Sequence, residues 1–155
     1  MRSETDGSAN RATALAYIEA FYGGDVAAAQ ACCDPDVDFI VYAPIELYPH
    51  LGQNRGRDWI AESIGIQEAR YRRRQYDIRF VAADGDQVAV MLRLALEKRN
   101  DGRVVRLDIA DFFTLRDGLI AMHRVIFDSF DLTQQLLGHD LTDAFAAGVR
   151  AAMTR

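Results

Sequence analysis

The sequence predicts an α+β fold: a curved antiparallel sheet wrapped around N-terminal helices, with a central hydrophobic pocket between them. Two observations carry that expectation. Apolar residues keep helical spacing through the first part of the chain, then switch to strict period-two alternation from Tyr76 onward. Each later run is joined to the next by a glycine-containing turn, at Asp84-Gly85-Asp86, Asn100-Asp101-Gly102 and Asp117-Gly118. Helices followed by a strand meander belong to the α+β class, and helices on one face of a bent sheet enclose a conical hollow.

Element by element, Ala14, Leu15, Ile18, Phe21 and Tyr22 set a helix over Asn10–Tyr22, stopped by Gly23-Gly24. Asp25 caps a second short helix from Val26 to about Cys32, which Asp34-Pro35 closes. The β-branched and aromatic run Val37–Tyr42 is a strand. Ala43–Arg57 reads as a long loop with two prolines, and Asp58 to about Arg70 as a helix. Tyr76, Ile78 and Phe80 alternate with Asp77 and Arg79. Val88, Val90, Leu92, Leu94 and Leu96 do the same on the next strand. Val104–Arg116 and Leu119–Asp128 complete four meandering strands. A helix over Leu132–Leu137 and an alanine-rich helical tail follow.

With 155 residues, half apolar and a quarter charged, the chain is expected to be one globular domain over residues 10–138. A flexible start (1–9) and a helical tail (139–155) flank it. The net charge of −5 argues against nucleic acid or an anionic membrane as partner. No apolar run reaches the roughly 18 residues of a membrane span, and the polar first residues do not read as a secretory signal. A cytoplasmic location is the expectation. Cys32 and Cys33 are adjacent, which disfavours a disulfide, and no further soft ligand supports zinc. They read as packing residues, and no metal or cofactor is expected. The run Tyr71-Arg72-Arg73-Arg74 reads as a solvated helix end favoured by the helix dipole.

Asp111 is the anomalous residue. It stands between Ile109 and Phe113 on the strand face that also carries Leu107 and Leu115. An unpaired charge there costs several kcal/mol, so Asp111 must be partnered, protonated or facing a cavity. The opposite face carries Arg93, Arg106, Asp108, Ala110, Phe112 and Thr114, a mixture suited to a subunit interface. A homodimer through this sheet face is expected.

Several segments, in this order, resemble the NTF2-like superfamily, in its ketosteroid-isomerase-like and SnoaL-like (polyketide cyclase) branches. They are Tyr17-Ile18-Glu19 with Gly24-Asp25, Gly56-Arg57-Asp58-Trp59-Ile60, Ile109–Phe113 with Asp117–Ile120, and Phe127–Leu132 with Gln135–Gly138. The resemblance implies a cone-shaped fold and a small hydrophobic ligand. It does not fix an activity, since the superfamily holds isomerases, cyclases, epoxide hydrolases and non-catalytic modules. Tyr17 falls where the isomerases keep an oxyanion-hole tyrosine. Asp111 falls where they keep a second donor, an acid held neutral by an apolar site. The usual isomerase base is replaced by Ala43 before Pro44, and an acid that cyclases and hydrolases place on the last strand is replaced by Val125. Asp128 lies three residues further on and reads as a helix cap.

The catalytic candidates are therefore Asp111, Tyr17 and His123. Asp111 is able to act as donor when neutral or as base when ionised. An ordinary Asp117-Gly118 turn puts Arg124 opposite Asp111, whereas a one-residue bulge brings His123 there instead. The substrate-binding candidates are Phe21, Phe113, Val125 and Phe127 toward the hollow, Tyr48 and His50 on the loop over its mouth, Tyr42 at the end of the first strand, and Trp59. The implied function is cofactor-independent proton transfer (isomerisation, cyclisation or dehydration) on a hydrophobic carbonyl or polycyclic metabolite. The alternative is a non-catalytic module. Polar groups converging in an open hollow favour the enzyme; a hollow plugged by Phe21, Phe80, Phe113 and Phe127 favours the module.

Overall fold

The computed structural model describes residues 4–154. Two helices come first, α1 (Glu4–Gly23) and α2 (Val26–Ala31). They are followed by strands β1 (Cys33–Tyr42) and β2 (Gly52–Arg55) and by helix α3 (Asp58–Arg70). Then come the strands β3 (Tyr71–Asp84), β4 (Gln87–Lys98), β5 (Val104–Arg116) and β6 (Leu119–Phe127), and the helices α4 (Ser129–Leu137) and α5 (Thr142–Met153). The strands form one curved sheet in the order β2-β1-β6-β5-β4-β3. All neighbours are antiparallel except β1 and β6. The cone anticipated from the sequence is present.

Local chemistry explains the boundaries. Gly24 ends α1 with φ of 80°, and the Asp25 carboxylate accepts from Ala28 N at 3.0 Å to start α2. The turn between β5 and β6 has φ of 53° at Asp117 and 76° at Gly118, the pairing that the strands' right-handed twist requires. Asp128 caps α4, accepting from Asp131 N at 2.9 Å. Val88, Val90, Leu92, Leu94 and Leu96 all point inward and are buried, as the alternation requires. Each such side chain contributes about 1.5–3 kcal/mol of burial.

Some boundaries differ from the sequence expectation. Helix α1 begins at Glu4, not Asn10, and Asn10 Nδ2 ties it to the β3–β4 turn through Gly85 O at 2.9 Å. Strand β1 begins at Cys33, with a register break before Asp38 that accommodates Pro35. The loop 43–57 contains the polar edge strand β2, which lacks the apolar alternation that betrays a strand. The basic run is not a helix end. Tyr71–Arg74 opens β3, where Arg72 pairs with Glu97 across the ladder and Arg74 reaches Glu68 and Tyr22 O.

A bulge between Ile78 and Phe80 turns Phe80 to the outer face beside Met91, so Phe80 does not plug the hollow. That outer face also exposes Phe112, Met122, Ile126 and Tyr42, flanked by the pairs Arg93–Asp108 and Arg124–Asp38. No helix among the described residues is long and apolar enough to cross a membrane.

Candidate functional site

The inner face of β5 and β6 meets α1 and α3 around a cavity of about 120 Å³. Much of its wall is apolar: Leu94, Leu96, Leu107 and Ile109 from the sheet, with Leu132 and Leu136 of α4 as part of the roof. The roof is latched to the loop over the mouth by a hydrogen bond between the Tyr48 and Thr133 hydroxyls, 2.8 Å apart. Roof and sheet are joined at the far end of α4, where Lys98 Nζ and Arg103 donate to the Leu136 carbonyl.

Asp111 and His123 both project into this cavity and are both 5% exposed. His123 Nε2 lies 2.7 Å from Asp111 Oδ1. Asp111 pairs in register with Val125, and His123 with Phe113, so the two side chains meet diagonally. The bulge foreseen as one of two registers therefore exists. Thr114 pairs with Met122 but Leu115 with Ile120, which leaves Ala121 as the extra residue. The bulge sets Val125, not His123, directly opposite Asp111. Arg124 is turned to the outer face, where it binds Asp38.

Aromatic rings hold the imidazole in place. Phe113 stacks on it at 4.3 Å and 14°, Tyr17 approaches edge-on at 5.4 Å, and Phe39 at 5.8 Å. Phe39 in turn packs on Trp59 at 4.5 Å. Two buried polar atoms of the pair have no partner: Asp111 Oδ2 and His123 Nδ1. Burial pushes the Tyr17 phenol well above its ordinary pKa, with Cys33 and Asp111 adding to the effect. The Tyr22 phenol is raised likewise, by burial first and then by Asp111 and Tyr76. Both remain hydroxyl donors beside an acid.

Most of the sequence candidates converge. The cavity brings together Tyr17, Phe21, Tyr48, His50, Trp59, Asp111, His123, Val125 and Phe127. Phe113 lies behind the imidazole and does not line the cavity. Tyr42 is on the wrong face: the inward residues of β1 are Val37, Phe39 and Val41, so Tyr42 points out and is 52% exposed. Trp59 donates through Nε1 to His50 O at 2.8 Å, fixing the mouth loop to α3. Burial, then the Arg70 charge, lowers the His50 pKa. Arg57 serves structure: Nε donates to Cys33 O at 2.9 Å, tying the start of α3 to β1.

The polar lining residues that sequence reasoning missed are Tyr22, Ser63, Gln67, Arg70 and Tyr71. Tyr22 sits one helical turn beyond Ile18, and Ser63 and Gln67 follow Trp59 at steps of four; that spacing was the available signal.

A family model described as the SnoaL-like domain matches residues 14–123. No curated protein matches the chain. Among solved structures, one from Rhodopseudomonas palustris described as a candidate isomerase is 25% identical with a TM-score of 0.72, over 81% of this chain and 93% of that one. A SnoaL-like polyketide cyclase candidate from Jannaschia sp. CCS1 is 17% identical with a TM-score of 0.73, covering 86% and 95%. An LEH-like epoxide hydrolase from M. tuberculosis is 19% identical with a TM-score of 0.69, covering 90% and 98%.

Proposed function

Because the chain belongs to the SnoaL-like domain family, we propose that its pocket is the active site of a cofactor-independent enzyme that moves a proton on a hydrophobic carbonyl compound. The observation that carries this reading is the free Oδ2 of Asp111, held in an apolar cavity while His123 binds the other oxygen. Asp111 is the single carboxylate among the described lining residues, so it is the one acid available there to replace the carboxylate base absent at Ala43.

In this mechanism His123 Nε2–H donates to Oδ1, which orients the carboxylate with Oδ2 toward the substrate. Oδ2 takes a proton from the carbon next to the substrate carbonyl. Electron density moves onto the carbonyl oxygen, which accepts a hydrogen bond from the Tyr17 hydroxyl. Asp111 then returns the proton to the same or a conjugated carbon, and the net change is isomerisation. Cyclisation or dehydration starts from the same enolate.

Volume narrows the substrate. About 120 Å³ accommodates a compound of one ring, well below the ~300–1,000 Å³ of sites for drug-sized ligands. A polycyclic substrate requires the latched roof to open.

We also propose that two copies pair through the outer sheet face. Phe80, Met91, Phe112, Met122 and Ile126 form an exposed apolar band there, a composition that favours association.

The catalytic proposal is tested with phenylacetone in D2O, following loss of the benzylic proton signal by NMR. Wild-type protein is expected to accelerate exchange above buffer. Asp111→Asn should remove at least about a hundredfold of that rate while the fold persists. Wild-type exchange at the buffer rate would return the chain to the binding-module reading.

A further inference from the structure

One wall of the cavity is unlike the others. Ser63, Gln67 and Arg70 stand at i, i+4 and i+7 on α3, and all three line the cavity. The row runs from Ser63, which is buried, through half-buried Gln67 to exposed Arg70 at the rim. It also leads away from the acid. Trp59, at the start of α3, packs toward His123 through Phe39, whereas Arg70 ends the helix beside Tyr71, whose strand pairs with the far end of β4.

These groups are not spent on the fold. Arg70 has no ion pair or side-chain hydrogen bond among the described residues, unlike the neighbouring Arg72, Arg74 and Arg99. Gln67 Oε1 is buried without a partner. The Arg70 charge reaches into the pocket rim, where it bears on His50 and Tyr71.

We propose that this row is a recognition subsite for the tail of the substrate, and that the tail carries a carboxylate bound by Arg70 next to a hydroxyl that donates to Gln67. The inference rests on the proton-transfer reading for the reacting end but concerns the opposite end of the ligand. The guanidinium fork accepts a carboxylate as a planar, two-point partner. A buried amide oxygen needs a donor, which a carboxylate cannot supply and a hydroxyl can. The apolar middle of the cavity takes the ring between the two ends.

Trp59 is the one tryptophan of the chain and lines the cavity, so its fluorescence reports occupancy. The probes are 3-phenyllactate, 3-phenyllactamide (no charge) and 3-phenylpropanoate (no hydroxyl), titrated at pH 7.5. Wild-type protein is expected to bind the lactate about tenfold more tightly than the lactamide and about fivefold more tightly than the propanoate. Arg70→Gln should abolish the first preference alone, and Gln67→Leu the second alone. Asp111→Asn should keep both preferences while losing proton exchange, which separates failure of the subsite from failure of the chemistry. Equal binding of acid and amide, an unchanged charge preference in Arg70→Gln, or no binding of any probe up to about 10 mM overturns the proposal.

Discussion

His123 reaches Asp111 diagonally across the β5–β6 ladder at 2.7 Å, and it does so because Ala121 is one residue too many for the ladder. Without that bulge the register would set Arg124 against Asp111 and send His123 to the outer face. One extra residue thus decides whether the acid meets an imidazole or a guanidinium.

The pair is expected to be costly to break and cheap to replace. His123→Phe leaves the Asp111 carboxylate buried with no donor, and a loss of about 3–5 kcal/mol is predicted. Asp111→Leu combined with His123→Phe should regain most of that stability, because well-packed apolar residues tolerate this site. Urea unfolding of the two variants checks it. Equal stability loss in the single and double variants would show that the pair is not the relevant interaction.

Tyr17→Phe keeps the ring that packs on His123 and Phe113 and removes only the hydroxyl. Proton exchange should slow by about a hundredfold, with a stability change under about 1 kcal/mol. Exchange kinetics with thermal melts of the same samples decide it; an unchanged rate excludes the oxyanion role.

Much of this was readable in the sequence, and the failures have a common form. The inward face of β5 followed from period-two alternation, so Asp111 was found as a polar residue among apolar ones. Parity is all that alternation supplies, and single-residue events reset it. The bulge at Ala121 settled the partner of Asp111, the bulge after Ile78 turned Phe80 outward, and the parity of β1 turned Tyr42 outward. β2 escaped notice because an edge strand of Gly-Gln-Asn-Arg has no apolar period to detect. Ser63, Gln67 and Arg70 share the helix face of Trp59, but which helix faces a cavity is a tertiary fact.

Burial pushes the Cys33 thiol up to about 12, with Cys32 adding to the effect and Arg57 opposing it. Its folded pKa lies above the unfolded value, so stability is full below about pH 9 and declines as pH rises from there toward 12. Native protein at pH 8 should therefore label slowly at Cys33 with a thiol reagent, and quickly once unfolded. Cys33→Ala should flatten the alkaline slope in denaturation measured between pH 8 and 10.5. A slope identical to wild type would contradict the assignment.

The outer sheet face should behave as an interface. Phe112→Glu with Ile126→Arg places charges in the centre of the exposed apolar band while leaving the inner face untouched. Light scattering is expected to give a dimer for the wild type and a monomer for the variant. A wild-type monomer at 100 μM would remove the pairing proposal, since interfaces of standard size usually hold together at about that concentration or below.

The most direct test of the central claim, that the free oxygen of Asp111 carries the proton, is chemical rescue. Asp111→Ala should exchange the benzylic protons of phenylacetone at least about a hundredfold more slowly than wild type, and added formate should restore part of the rate where equal chloride does not. Exchange by Asp111→Ala at the wild-type rate, without formate, would contradict the mechanism.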